Sequence, residues 1–107
     1  MKKLIILSMF VILFLSGCVY LGGSEADRLK QYCIIACQEA LNQGRDLSDG
    51  PCLLNPMPDN RDWVCDVAHS PRQAVDDIPE NQCSAFRNRE ASHFIEVDTE
   101  CNFIKSY

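Results

Sequence analysis

The strongest structural signal in the chain lies in residues 24–44, which read SEADRLKQYCIIACQEALNQG. Apolar residues recur there at the three- and four-residue spacing that places them on one face of an α-helix, namely Leu29, Cys33, Ala36, Cys37, Ala40 and Leu41. Ser24 is a favourable N-cap, and Gly44 can adopt the left-handed backbone conformation that follows a helix end. The pattern predicts a helix from Glu25 to Gln43 whose buried face carries two cysteines one turn apart.

The rest of the chain predicts short strands separated by loops. Residues 63–68 are rich in β-branched and aromatic side chains, and we expect Trp63, Cys65 and Val67 to share one face of a strand. Residues 93–97 and 101–105 predict a hairpin with its turn at 98–100. The predicted fold is α+β, with one amphipathic helix packed on a small antiparallel sheet of three to four strands, stabilised by disulfides.

Six cysteines follow the first twenty-odd residues, and an even number in a small domain indicates a disulfide framework formed in an oxidising compartment. They are Cys33, Cys37, Cys52, Cys65, Cys83 and Cys101. Six cysteines allow about 15 pairings, so spacing alone leaves the connectivity open. We expect Cys33 and Cys37 to bridge to two different segments, because both face the sheet from the same side of the helix.

The amino terminus predicts export. A basic Met1-Lys2-Lys3 precedes an apolar run from Leu4 to Leu15, which is the order of a secretion signal. The next residues, Leu15-Ser16-Gly17-Cys18, resemble the lipobox of bacterial and some archaeal lipoproteins. That resemblance implies a signal peptide at 1–17, a diacylated Cys18, a lipid-anchored tether at 18–23 and a folded domain at 24–107. The alternative is an uncleaved signal anchor, since the apolar run approaches the about 20 residues that a spanning helix needs.

A second, weaker resemblance lies at the carboxyl end. The segment Phe94-Ile95-Glu96-Val97-Asp98 followed by Asn102-Phe103-Ile104 resembles the closing hairpin of the PepSY type of small extracytoplasmic domain. Cys101 and the long cysteine-bearing loops depart from the pattern of that family. The resemblance supports an extracytoplasmic α+β domain and implies no residue roles.

Charge and motifs predict a binding or structural module without catalysis and without a cofactor. The formal net charge is −5, which argues against nucleic acid as a partner because such binding needs a basic surface. We expect the membrane, through the lipid anchor, and an unidentified protein as partners. The candidate binding loop contains His69, Ser70 and Arg72, where a strand runs into a bend at a proline. The alternative is that this loop is a solvated connector held by Cys65 and Cys83.

The alternative function is a zinc- or thiol-dependent extracytoplasmic enzyme. Two pairs, Cys33-x3-Cys37 and Cys65-x3-His69, imitate a four-ligand zinc site. Using them for metal would leave three unpaired cysteines, whereas disulfides leave none. A reactive dithiol at Cys33 and Cys37 is disfavoured because both lie inside the predicted helix, away from the amino terminus that would stabilise a thiolate.

Overall fold

The computed structural model of the protein describes residues 23–107. The predicted signal peptide, the expected lipidation site Cys18 and the predicted tether up to residue 22 lie outside the described residues. The described elements are α1 (Glu25–Asn42), β1 (Cys52–Leu54), β2 (Trp63–Val67), α2 (Ser84–Arg87), β3 (His93–Val97) and β4 (Phe103–Ser106), with two 3₁₀ turns at Ala74–Asp77 and Pro79–Asn81. No helix within residues 23–107 has the length and apolar character needed to span a bilayer.

Helix α1 confirms the sequence prediction at both ends. The Ser24 hydroxyl accepts a hydrogen bond from the Asp27 backbone N–H at 3.1 Å. Beyond the last turn, Gly44 adopts a φ of +76°, the left-handed conformation that ends a helix without strain only at glycine. The buried residues of α1 are Leu29, Cys33, Cys37 and Ala40, as the periodicity predicts. Ala36 is only partly buried, and Leu41 is 42% exposed because it lies in the last turn of the helix.

The four strands form one sheet in the order β1-β2-β3-β4. The outer pairs are antiparallel, but β2 and β3 pair in parallel from Trp63 opposite His93 to Val67 opposite Val97. The α+β fold class is confirmed, and the sheet is mixed instead of uniformly antiparallel. The physical reason is the connection from residue 68 to 92, which is long enough to cross the sheet and return in the same direction. It contains both 3₁₀ turns and α2.

The closing hairpin of β3 and β4 is present, but its second strand begins later than the sequence predicts. Cys101 has a φ of 69° and lies in the turn, so β4 starts at Phe103. The Asp98 carboxylate holds this turn by accepting backbone N–H bonds from Glu100 at 2.9 Å and from Asn102 at 2.8 Å.

Three disulfides join the elements: Cys33–Cys65, Cys37–Cys101 and Cys52–Cys83. The first two confirm that the helix cysteines bridge to different segments, one to β2 and one to the β3–β4 turn. The third links β1 to the residue that precedes α2. Each bridge contributes about 2–4 kcal/mol to a domain of this size, mainly by restricting the unfolded chain.

The sheet separates two clusters of buried residues. Under α1, the side chains of Met57, Val67, Ile95 and Val97 pack with the helix and with two disulfides. On the opposite face a smaller cluster of Val64, Cys83, Ala85 and Ala91 packs against the partly buried Phe86 and Phe94. The first face is closed by the helix, whereas the second is only partly covered by the β2–β3 connection.

Candidate functional site

A cavity of about 690 Å³ opens on the face of the sheet opposite α1, and we call it the cleft. Alternation along β2 explains its position. Cys65 and Val67 join the cluster under the helix, so Val64 and Asp66 point the other way and line the cleft. A volume of this size lies within the range of about 300–1,000 Å³ that accommodates small organic ligands.

The wall of the cleft is aromatic. The Phe86 and Phe94 rings meet edge to face at 5.0 Å between centroids, and Tyr107 stacks on Phe94 at 5.6 Å. Two backbone hydrogen bonds between Phe94 and Tyr107, of 3.0 and 3.2 Å, hold the last residue beside β3. Tyr107 is nevertheless 71% exposed, so the wall offers a free aromatic surface.

A row of cross-strand neighbours crosses the sheet. Cys52 on β1 pairs with Asp66 on β2, which pairs with Glu96 on β3, which pairs with Lys105 on β4. The last three line the cleft. Cross-strand neighbours lie about 4.5–5.5 Å apart at Cβ, so each side chain in the row alters the environment of the next.

The acidic centre of this row is only partly neutralised. Glu96 is buried, and its carboxylate accepts a hydrogen bond from the Arg72 guanidinium at 3.1 Å. The Oδ1 atom of Asp66 is buried and has no hydrogen-bond partner among the described residues. Burial raises the pKa of Asp66 to about 8, and the Glu96 carboxylate adds to this rise while Arg72 opposes it. Asp66 is therefore a neutral carboxylic acid at neutral pH.

The exposed border of the cleft is positively charged. Arg87, Arg89 and Lys105 line the cavity and are exposed, and we call them the cationic rim. Within residues 23–107 none of the three forms an ion pair, although Lys105 Nζ lies 5.6 Å from the centre of the Phe94 ring. Three unpaired cations at one cavity are notable in a chain whose net charge is −5.

One disulfide borders the same site. Cys83 lines the cleft, and a carboxyl oxygen of Asp66 lies within 4.8 Å of the Sγ atoms of both Cys52 and Cys83. In the part of the chain that the structure describes, this is the one group of three potential metal ligands that come so close together. Bonded sulfurs offer no thiolate, so the group is not a metal site in this state.

A second, smaller depression lies beside His69. Its imidazole Nδ1 is 2.9 Å from the buried Asp76 carboxylate, which also accepts backbone N–H bonds from His69 and Gln73. Burial alone would raise the pKa of Asp76, but these hydrogen bonds outweigh burial and hold the pKa below its usual value. Gly50 packs directly on this carboxylate, because a Cβ there would lie 2.5 Å from Asp76 Oδ1. The arrangement fixes the loop and orients the imidazole.

The structure does not bring the candidate loop residues His69, Ser70 and Arg72 into one site. Arg72 lines the cleft, His69 borders the small depression, and Ser70 is exposed and lines neither. The residues of the alternative zinc set do not converge as ligands either: Cys33 is bonded to Cys65, and Cys37 to Cys101.

Sequence reasoning missed Asp66, Glu96 and the cationic rim. The sequence did carry a signal for Asp66. This residue lies between Cys65 and Val67, which face the helix, and adjacent residues on a strand point to opposite faces of the sheet, so Asp66 must lie on the face away from the helix. Its meeting with Glu96 depends on the parallel register of β2 and β3, which no local pattern encodes.

No protein-family model, curated protein or solved structure shows significant similarity to this chain. The chemistry of the cleft can nevertheless be stated. An aromatic wall, a cationic rim and a neutral acid at the centre complement a molecule that has an apolar body and a negative group.

Proposed function

We propose that the protein is a membrane-tethered binding module whose cleft takes a small organic anion with an aromatic or similarly apolar body. The observation that carries this proposal is the cationic rim beside the aromatic wall of a cavity of about 690 Å³. Cations without an ion-pair partner among residues 23–107 remain available to a ligand, and guanidinium groups form strong, oriented hydrogen bonds with carboxylates, sulfonates and phosphates.

The charge balance inside the cleft supports an anion over a cation. Glu96 is paired with Arg72, and burial keeps Asp66 protonated at neutral pH. The two acids therefore contribute less negative charge than their number suggests. The three rim cations have no such compensation among the described residues, so the field at the mouth of the cleft is positive.

The tether is supported by the sequence. The Leu15-Ser16-Gly17-Cys18 resemblance to a lipobox implies a diacylated Cys18, and two acyl chains give stable membrane anchoring. The three disulfides of the folded domain use six cysteines and leave Cys18 outside the framework, in agreement with a separate role. In this proposal the domain acts without catalysis on the extracytoplasmic side of the membrane.

Binding is tested with two probes that share an aromatic body and differ in charge. Titration calorimetry with naphthoate and with naphthamide should show tighter binding of naphthoate. Replacing the rim together, Arg87→Gln, Arg89→Gln and Lys105→Gln, should weaken naphthoate roughly tenfold, the sum of several exposed charge contacts. Arg61→Gln is the matched control, since Arg61 is exposed and does not line the cleft. Equal affinities for the two probes, or no difference between the triple variant and the control, would reject the anion site.

The anchor is tested by the intact mass of the protein extracted from membranes, measured with and without reductant. A lipidated chain should begin at Cys18, carry the mass of a diacylglyceryl group and gain the mass of six hydrogen atoms on full reduction of its three bridges. Cys18→Ala should abolish the lipid mass. A chain that still begins at Met1 would contradict the lipid anchor and would favour the uncleaved signal anchor.

A further inference from the structure

The three disulfides have different surroundings. Cys33–Cys65 and Cys37–Cys101 lie in the cluster under α1. Cys52–Cys83 lies on the other side of the sheet, where Cys83 lines the cleft although it is only 3% exposed, and Cys52 is partly exposed. It is also the one bridge in residues 23–107 with a carboxyl group within 4.8 Å of both sulfurs.

We propose that the Cys52–Cys83 bond is a site of thiol–disulfide exchange, at which Asp66 transfers the proton and the cleft admits a small anionic thiol. The geometry that carries the proposal is the proximity of one carboxyl to both sulfurs, within 4.8 Å, at the edge of an open cavity. The exchange does not depend on the proposed function. The preference for an anionic thiol rests on it, because that preference comes from the cationic rim.

The reaction proceeds in two balanced exchanges. The thiolate of the small thiol attacks Cys83 Sγ, the new S–S bond forms, and the Cys52–Cys83 bond breaks with its electron pair on Cys52 Sγ. Asp66 gives its proton to the departing Cys52 thiolate. A second thiol then attacks the mixed disulfide and releases Cys83, while Cys83 and Asp66 are reprotonated by the two protons that the thiols lost. The net change oxidises two small thiols to one disulfide and reduces Cys52–Cys83 to two thiols.

Asp66 has the properties that this role needs. Its Oδ1 atom is buried without a hydrogen-bond partner among the described residues, so its proton is not committed elsewhere. The charged groups around it are Glu96 on β3 and Arg72 and Asp76 from the β2–β3 connection. Burial and Glu96 raise the pKa of Asp66 to about 8, which keeps the proton available at neutral pH. Cross-strand pairing with Cys52 fixes the carboxyl beside the bond.

The test compares the three bridges within one molecule. The full chain in detergent is treated with mercaptoethanesulfonate at neutral pH, quenched by alkylation at successive times and mapped by mass spectrometry. Cys52 and Cys83 should become labelled roughly a hundredfold or more faster than the other four cysteines, the lower end of what a positioned acid contributes. If either of the other bridges opens first or at the same rate, the exchange site is wrong.

The role of Asp66 is tested by Asp66→Asn, with Asp77→Asn as the control, since Asp77 is exposed and does not line the cleft. Both variants must first show three intact bridges by mass. Asp66→Asn should slow the opening of Cys52–Cys83 by roughly 100-fold or more at neutral pH. In the wild-type protein the rate per attacking thiolate should fall as the pH passes about 8, because Asp66 then loses its proton. The Asp66→Asn rate should not fall, and identical pH profiles would exclude the proton transfer.

Comparing an anionic thiol with a cationic one tests the exchange at Cys52–Cys83 and the anion preference of the cleft independently. With rates divided by thiolate concentration and by reactivity toward a free disulfide, mercaptoethanesulfonate should open the bridge faster than cysteamine does. The triple rim variant should lose this preference and keep the selectivity for Cys52–Cys83. If the bridge opens selectively but both thiols react equally, the exchange stands and the anion preference fails.

Discussion

The two faces of the sheet differ in how closely they are packed and in how many polar groups they carry. The face under α1 is apolar and closed, with Leu29, Met57 and Ile95 fully buried and two disulfides embedded among them. The face across the sheet carries a cavity, an acid with an unpartnered oxygen and three cations without ion pairs among residues 23–107. One face holds the fold together, and the other keeps polar groups whose burial costs stability. Costly polar burial in a cavity is typical of functional sites.

The largest expected effect on stability comes from the closed face. Leu29→Ala removes a fully buried side chain of α1 and should lower the free energy of unfolding by about 2–5 kcal/mol, because the cavity cannot collapse between helix and sheet. Urea unfolding with the disulfides intact measures this loss. Ile35→Ala on the same helix is the control, since Ile35 is 52% exposed and should change stability little. Naphthoate affinity of the folded Leu29→Ala protein should be unchanged, and a weakened affinity would show that the two faces are coupled.

On the cleft face, Asp66 should make stability depend on pH. Its pKa is raised from the usual 3.8 to about 8, so folding takes up a proton between these values and stability falls as the pH rises through this window. The slope should approach roughly 1 kcal/mol per pH unit, and Asp66→Asn should remove it and be the more stable protein at neutral pH.

Urea unfolding between pH 5 and 9 checks this dependence. The carboxyls whose pKa is lowered, such as Asp76 and Asp98, are ionised in both states above about pH 5, so they add no slope there. Asp77→Asn changes an exposed charge and serves as the control. Parallel curves for the wild-type protein and Asp66→Asn would mean that Asp66 is not held neutral by its surroundings.

Two glycines distinguish a crowded loop from an open one. Gly50 and Gly44 both have a positive φ, +67° and +76°, so alanine at either position bears a similar backbone strain of about 1–2 kcal/mol. At Gly50 the new Cβ would also lie 2.5 Å from Asp76 Oδ1, whereas at Gly44 nothing lies within 4 Å. Gly50→Ala should therefore destabilise the protein by about 1 kcal/mol more than Gly44→Ala in thermal or urea unfolding. Equal losses of stability would show that the Asp76 loop moves away from the new Cβ with no loss of folding free energy.

The closed face could be predicted from the sequence and the cleft could not. The spacing of Leu29, Cys33 and Cys37 is local, so it predicts the helix, its buried face and the separate destinations of the two cysteines. The parallel pairing of β2 with β3 arises only when the connection crosses the sheet. Asp66 and Glu96 are distant in sequence and meet through that pairing, whereas Lys105 reaches Glu96 through the predicted β3–β4 hairpin. His69 and Arg72 are close in sequence, yet the bend between them sends one to the small depression and the other to the cleft.

The smallest effect on stability is expected at Arg28. Comparing Arg28 with Arg72 shows how much the burial of a carboxylate partner adds to the contribution of an ion pair. Arg28 and Arg72 each contact two carboxylates: Arg28 pairs with Glu25 at 2.8 Å and Asp59 at 3.2 Å, and Arg72 with Asp77 and Glu96. About half of each Arg28 partner is exposed, whereas the Glu96 side chain is 7% exposed.

Arg28→Gln should leave the free energy of unfolding within the error of a urea titration, because water replaces the lost partner. Arg72→Gln should cost about 1 kcal/mol or more, because it leaves Glu96 buried without its counterion beside Asp66. The same unfolding measurement in high salt should leave the Arg72 deficit largely intact, since a buried charge is poorly screened. If both variants lose equal stability, the loss depends on the number of ion pairs and not on the burial of the carboxylate partner. The stability cost proposed for the buried acids of the cleft would then not arise from the burial of their charge.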